Sequence, residues 1–419
     1  MQRVDVSFLK DVVRYDAGLV ATVQLEPIGG FEEKIQPPTY AGRRYHVEKR
    51  RTGTEVRDCV VLDSVPSQAN RMELALKEHV HERGIKIPSF WLSFDGTSLA
   101  DRFAPGARLS SFDLPGRAFD MFFMSSEINA KSFYETDLAR RLGKSNLRNA
   151  TPLLTLCPTC LIYGAWDSMR VTAQGGLEPQ FPRIITSEIV GYDPVEGGRS
   201  EGRLSPIPIS SSLKLDVDDG ANKAAWRFAD RGKKKPSEFM LGSVTPTFTA
   251  AGETRIRRDE VLYSAGGVTV SSIKRTVVVS SVALNNLRFP VEKGSNGPVY
   301  EEEIELSCRA LLLAMALAGA VLQHEDGYHL RSGCDLFATT PLVFERVSRL
   351  GPISPNTFEL SAAEAVELVR TAISEVKDAG VGWPEDGYAE TVFTPSKKLV
   401  ELIEKSMAAY GAGEDMEES

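Results

Sequence analysis

The sequence predicts an α+β fold. The observations behind this are an alternating apolar stretch at 19–26, strand-like runs at 60–62, 183–192 and 266–279, and a long apolar helical stripe at 300–323 followed by two capped helices. At 419 residues the chain can bury a sizeable core. Its 42% hydrophobic and 25% charged residues are the proportions of a globular protein without compositional bias. No internal repeat or low-complexity tract stands out, which argues against a solenoid.

In chain order, Leu-Val-Ala-Thr-Val-Gln-Leu-Glu at 19–26 alternates as a strand does. Pro27 to Pro38 breaks regularity, and a basic segment with Arg43, Arg44, Lys49, Arg50 and Arg51 follows. This excursion reads as an insertion on the face of a sheet. Val60-Val61-Leu62 then passes into a helical period. At about 100° per residue, Val65, Ala69, Met72, Leu76 and Val80 share an apolar face, with Ser64, Ser67, Gln68 and Arg71 nearly opposite. A hydrogen-bonding face with one arginine at a helix N-terminus suits a phosphate, because unpaired N–H groups and the helix dipole point there. On the helix alone an ordinary N-cap with a solvated face explains it better.

Residues 87–124 read as short strands and turns, and 133–142 as a helix ending at Gly143. Residues 183–192 form a strand, and 194–265 are turn-rich loops or a hairpin insertion carrying Arg231, Lys233, Lys234 and Lys235. Residues 266–279 are strand-like and lead into a short helix through Asn286; Cys334–Thr340 reads as a final strand. Ser361 with Glu364 forms a capping box, with Gly380 as the stop. Thr394-Pro395 reads as the start of the last helix and Gly411 as its end.

Several chemistries lack their residues. Five cysteines in a long chain argue against a disulfide framework. Cys157-Pro-Thr-Cys160 is a single pair without the second pair of a structural zinc site, so two buried thiols explain it better than a metal. Gly143-Lys144-Ser145 has Leu138 where a phosphate-binding loop needs its first glycine. No G-x-S-x-G elbow is present. His79 and His81 are two apart on a helix and point to different faces. His324 and His329 flank a turn without a partner in sequence, and only His46 lies among basic residues. The N-terminus has no apolar signal region, and the apolar run 310–322 is too short to span a bilayer, so the expectation is a cytoplasmic protein with no membrane partner.

The net charge of −8 argues at first against nucleic acid. Much acidity, however, sits in the last six residues (Glu414, Asp415, Glu417, Glu418), whereas basic residues cluster elsewhere, including Arg140, Arg141 and Lys144. Screening lets a local basic groove bind phosphates on an acidic chain.

Val61-Leu-Asp-Ser-Val-Pro-Ser-Gln-Ala-Asn-Arg-Met-Glu, followed in order by Gly164-Ala-Trp-Asp-Ser, Arg183-Ile-Ile-Thr-Ser-Glu-Ile, Gly266-Gly-Val-Thr-Val with Ile273-Lys-Arg-Thr, Leu287-Arg-Phe-Pro and Leu330-Arg-Ser-Gly-Cys-Asp-Leu, resembles one family. It is the backbone subunit of type I-U (I-G) CRISPR effector complexes, in the RAMP superfamily, and the resemblance spans about 15–345. It implies a modified RNA-recognition-motif (ferredoxin-like) palm over 1–345, with a finger-like insertion at about 27–57 and a thumb-like one at about 194–265. A helical extension and acidic tail would occupy 346–419.

The resemblance further implies a non-catalytic, cofactor-free subunit that oligomerises along CRISPR RNA, beside other effector subunits, for target DNA recognition. Holding any spacer requires phosphate and ribose contacts rather than base reading. The expected RNA-binding residues are Ser64, Ser67, Gln68, Asn70 and Arg71 on the helix, Arg43, Arg44, Lys49 and Arg50 in the excursion, and Lys274, Arg275 and Lys234. In the thumb, Phe239, Met240 and Leu241 would start an RNA-kinking hairpin. The rival reading is a RAMP-type endoribonuclease using His46 or one of Asp216, Asp218, Asp219 and Asp259; a third is a scaffold without nucleic acid.

Overall fold

A computed structural model describes residues 4–102, 108–167, 180–216, 226–228, 234–257, 260–263, 265–292, 297–352 and 356–412. The elements that build its body are α1 (Val6–Tyr15), β1 (Asp16–Pro27), β2 (Val47–Thr52), β3 (Glu55–Asp63), α2 (Val65–Leu76), β4 (Ser89–Ser93), β5 (Arg108–Ser110), β6 (Ser126–Ile128), β7 (Lys131–Ser132), β8 (Ile185–Tyr192), β9 (Ser272–Ser280), α3 (Ser281–Asn285), α4 (Glu302–Glu325), β10 (Tyr328–Arg331), β11 (Cys334–Ala338), β12 (Phe344–Ser348), β13 (Thr357–Phe358), α5 (Ala362–Asp378), β14 (Glu390–Pro395) and α6 (Lys397–Ala412). The structure is accordingly mixed α+β, with an antiparallel main sheet.

That sheet has nine strands in the order β2-β3-β8-β9-β1-β11-β10, with β12 and β13 off this path. One edge of β1 pairs with β9 from Gly18 to Leu25; the other pairs with β12 over its first half and β11 over its last residues. If β1, β8, β9 and β11 are counted as first to fourth in sequence, their order across the sheet is fourth, first, third, second. Helix α2 lies in the first-to-second connection and α4 in the third-to-fourth.

Alternation decides what each face of the sheet meets. Leu19, Ala21, Val23 and Leu25 on β1 are buried, as are Ile273, Val277 and Val279 on β9; Thr22, Gln24 and Val278 between them are exposed. Helix α4 packs against α1, α2 and α5. Its residues from Ile304 to Gln323 are buried all round, as a core helix requires. It is long and apolar enough to cross a membrane, but that window is wholly buried inside the protein. Gly319 permits the α2 contact: a Cβ there would strike the Tyr163 hydroxyl and lie 3.1 Å from the Met72 carbonyl.

The expected strands at 19–26 and 183–192 and the helix at 300–323 are present with small shifts in their ends, whereas the stretch 266–279 divides into a short strand at Val268–Thr269, paired with Val195–Glu196, and β9 from Ser272. The capping box is formed, with Ser361 Oγ accepting from the Glu364 amide and Gly380 following at φ 72°. Two expectations need correction. Cys334–Thr340 is not the final strand, because β12, β13 and β14 follow it. Thr394 and Pro395 do not start a helix: they end β14, which pairs in parallel with β4 through Glu390–Phe393 and then meets β6. Proline is compatible with either role, since it only fixes φ and removes one donor. Residues after 345 thus add strands to both sheets, the second having the order β5-β4-β14-β6-β7.

The excursion before β2 is irregular, but β2 and β3 form a hairpin that extends the main sheet. The insertion at 194–265 contains short ladders, among them Arg199–Arg203 with Val244–Thr249 and Thr254–Arg257 with Glu260–Tyr263. Asp218, Asp219, Asp259, Arg231, Lys233 and the acidic tail lie outside the described residues. All five cysteines are buried and free. A hydrogen bond from Cys160 holds the Cys157 thiol below its ordinary range, while burial raises Cys160.

Candidate nucleic-acid interface

The helix expected to clamp a ligand begins as its sequence suggests. Ser64 is the N-cap in extended conformation and its carbonyl accepts from the Gln68 amide at 2.8 Å. Ala69, Met72, Leu76 and Val80 are buried, and Val65 is half-buried. The opposite face is only partly solvated: Ser64, Ser67 and Arg71 are half-buried and Gln68 is buried, and here the wheel reading is corrected. Helix α2 lies against β8 on one flank and α4 on another, so more than one stripe of it is covered. Gln68 and Glu73 are buried with the apolar residues.

Gln68 belongs to an interior polar chain. Its Nε2 donates to Asp63 Oδ2 at 2.7 Å, and its Oε1 accepts from Ser187 Oγ at 2.8 Å. Ser187 Oγ in turn accepts from Arg275 Nε at 3.1 Å, and Arg275 Nη1 donates to the Tyr328 hydroxyl at 3.1 Å. Tyr328 meets His324 Nδ1 at 2.7 Å; burial, followed by the Arg275 cation, pushes that imidazole's pKa down. Arg275 is 0% exposed. It therefore does not face solvent: it stands on the core side of β9, among the residues the helices cover.

Arg71 is half-buried and turned to the same network. Its Nε donates to Asp63 Oδ2 at 3.0 Å, and its Nη atoms donate to the carbonyls of His329 and Leu330 at 3.1 and 2.6 Å. Arg331 Nη1 reaches the Leu62 carbonyl at 3.1 Å. The two arginines tie α2 and β3 to the β10–β11 hairpin. The polar signature of residues 63–71 is largely spent on internal structure, which leaves Ser64 and Ser67 half-buried and Asn70 exposed.

A second polar surface lies on the other face of the main sheet, where Thr22 and Gln24 are exposed while Val190 and Tyr192 are buried. The register brings Thr22, Thr276 and Glu188 into one row, Gln24, Lys274 and Val190 into the next, and Val20, Val278 and Thr186 into a third. A shallow depression of about 250 Å³ forms there, lined by Arg50, Val65, Thr186, Glu188, Lys274 and Thr276 among others. Arg50 reaches across from the edge hairpin and grips Glu188 with both Nη atoms, at 2.5 and 3.0 Å. This fork neutralises the carboxylate, and its hydrogen bonds raise the Arg50 pKa further. Lys274 Nζ lies 5.7 Å from the Tyr192 ring centroid, with the Arg57 guanidinium 4.8 Å from the same ring.

Of the expected residues, Arg50 and Lys274 share this depression, and Val65 brings the start of α2 to its rim. Lys49 is exposed and paired with Asp58 at 2.9 Å. Arg43 and Arg44 are exposed at a tight turn before β2, with Arg43 at φ 58°. Lys234 is exposed on the insertion, 5.6 Å from the Phe239 ring; Met240 beside it is 75% exposed. None of these four lines the depression. Thr22, Gln24, Thr186, Thr276 and Tyr192 were not anticipated, although the alternation at 19–26 already separates Thr22 and Gln24 from the core set.

Residues 19–195 match the family model described as CRISPR-associated protein GSU0053. The match covers less than half of the 419 residues, so it is a similarity of that stretch. The stretch runs from β1 through α2 to the end of β8 and contains the signature helix with its Asp63–Gln68–Ser187 chain. No curated protein matches the chain. Among solved structures, a crystal structure of Thermofilum pendens Csc2 aligns with 91% of this chain and 82% of its own, at 12% identity and a TM-score of 0.25. A score that low carries no structural argument.

Proposed function

We propose that this protein is a non-catalytic CRISPR RNA-binding backbone subunit of a type I-G (I-U) interference complex. Copies of it would assemble along the guide beside other effector subunits and leave the bases free to pair with target DNA. The observation that carries the reading is the CRISPR-associated family match over residues 19–195. The strand order of β11, β1, β9 and β8, with α2 and α4 in the two connections, supports a ferredoxin-like palm. The open face supplies groups suited to backbone recognition: threonine hydroxyls, the Gln24 amide, and the Lys274 and Arg50 cations bond phosphate and ribose without reading a base. The same face bears one carboxylate in its central rows, and Arg50 already holds it. Exposed Arg43, Arg44, Lys49 and Lys234 would extend the contact electrostatically.

The test is filter binding of the purified chain to its repeat–spacer RNA and to a control RNA of unrelated spacer. The expected result is equal affinity for both spacers, falling steeply with salt, and weaker binding for a Lys274→Ala/Thr276→Ala variant that keeps its thermal stability. Unaltered affinity in that variant would remove the sheet face from the interface. Specific cleavage of either RNA would remove the non-catalytic assignment.

A further inference from the structure

The C-terminal end of α2 and the end of α4 converge on a cluster that the RNA-binding reading leaves unused. After Leu76 the helix widens into a π turn at Lys77–His81, closed by the Glu82 amide donating to the Lys77 carbonyl at 2.9 Å. Such turns are uncommon and displace side chains from the ordinary helical positions. Glu78 and His79 lie on this one, and Asp326 is the C-cap of α4. One ligand atom from each of the three, an imidazole nitrogen and two carboxylate oxygens, lies within 4.8 Å of the others. His79 Nε2 and Asp326 Oδ1 are 2.6 Å apart.

We infer that Glu78, His79 and Asp326 form a binding site for one divalent first-row metal ion that staples the end of α2 to the end of α4. Three features favour a cation over a simple ion pair. The donor set is one nitrogen and two oxygens, which suits zinc, manganese or cobalt better than magnesium or calcium, whose preference is for oxygen alone. Two helix C-termini end here, and each carries partial negative charge. Glu78 and Asp326 are exposed and His79 is half-buried, so solvent supplies the remaining coordination positions. The metal would take the place of the direct contact between Nε2 and Oδ1. His81, two residues on, is not a member: it is buried and meets Glu390 Oε1 at 3.0 Å while accepting from the Ile87 amide.

The site is tested on the full chain stripped with chelator and titrated with zinc alone, followed by calorimetry and by thermal unfolding. The expected result is one equivalent of zinc bound, with a raised melting temperature. Either His79→Gln or Asp326→Asn should weaken that binding at least as much as the loss of an outer-shell partner does, roughly 10–100-fold, and should abolish the thermal shift. Cobalt in place of zinc should give only weak d–d bands; an intense thiolate charge-transfer band would put the metal on the cysteines and overturn the inference. Undiminished zinc binding by the two variants, or no binding by the stripped chain, would reduce the cluster to an ion pair and also overturn it.

Discussion

Lys274 and Arg275 are consecutive cations on one strand, and their surroundings are opposite. Lys274 lies on the open face beside Tyr192 and the threonine rows, partly in water. Arg275 lies on the covered face, 0% exposed, bonded to Ser187 and Tyr328. On β8 the same alternation separates Ser187, inside the network, from Thr186 and Glu188 outside it. A motif that reads as one polar patch in sequence is therefore two structures back to back. One holds α2 and the β10–β11 hairpin to the sheet, and the other is available to a ligand. The residues differ less in chemistry than in which side of the pleat they occupy.

Mutation should separate the two sides, and the largest effect belongs to the covered one. Arg275→Ala leaves the Ser187 and Tyr328 hydroxyls and the Ala320 carbonyl without their cation and opens a cavity in the interior. The expected loss is about 3 kcal/mol, from the cavity and the unpaired interior hydroxyls together. Lys274→Ala should stay within about 0.5 kcal/mol. Urea denaturation of the two variants measures both, and equal losses would dissolve the distinction between the faces.

Glu73 extends the comparison to a buried pair. Its carboxylate holds Arg117 Nε at 3.0 and 2.9 Å and is 1% exposed, and burial pushes its pKa up to about 7. Glu73→Ala should cost about 3 kcal/mol by stranding Arg117, whereas Glu73→Leu with Arg117→Met should recover most of it. A carboxyl raised on folding favours its protonated form in the native state. Its contribution is complete below the ordinary carboxylate range and is lost as pH rises through about 7. The double variant should lack that part of the fall in thermal stability; an unchanged pH profile would contradict the burial of this carboxyl.

Gln68→Ala should be milder, about 2 kcal/mol, since it leaves Asp63 and Ser187 each one bond short in the interior. Its RNA affinity, measured on the fraction that remains folded, should change little. A large affinity loss with normal stability would instead restore Gln68 to the ligand surface.

Much of the fold was legible because periodicity and caps are local. The strand at 19–26 and the helix at 300–323 need only their own residues, and Ser361 with Glu364 needs only three positions. What was not legible depended on partners far along the chain. Helix α2 shows one apolar stripe, and nothing within 64–76 indicates that a second flank will be covered by β8, more than a hundred residues later, so Gln68 read as part of a ligand-facing surface. Arg275 read as a surface cation for the same reason, since its partners Ser187 and Tyr328 come from distant segments. Thr394-Pro395 satisfies a helix start and a strand end equally, and only the pairing with β4 and β6 decides between them. For the candidate site, Lys274 and Arg50 were found from charge. The threonine and glutamine rows were missed because alternation marks them as exposed without marking them as functional.

The smallest expected effect on stability is also the sharpest probe of the open face. If Lys274 contacts a phosphate, replacing it removes about one released counterion. The slope of log K against log salt should then become shallower by about 0.7 for single-stranded RNA. Arg50→Ala should act differently, because Arg50 is shared by Glu48 and Glu188 and its loss leaves both carboxylates uncompensated beside the ligand. Its affinity loss should therefore exceed that of Lys274→Ala, and Arg50→Ala with Glu188→Gln should recover part of it. Affinity and slope measured across a salt series for the three variants would test this ordering. A Lys274 variant with the parental slope, together with an Arg50 variant that Glu188→Gln does not rescue, would move the phosphate contacts off this face and toward the Arg43, Arg44 and Lys49 segment.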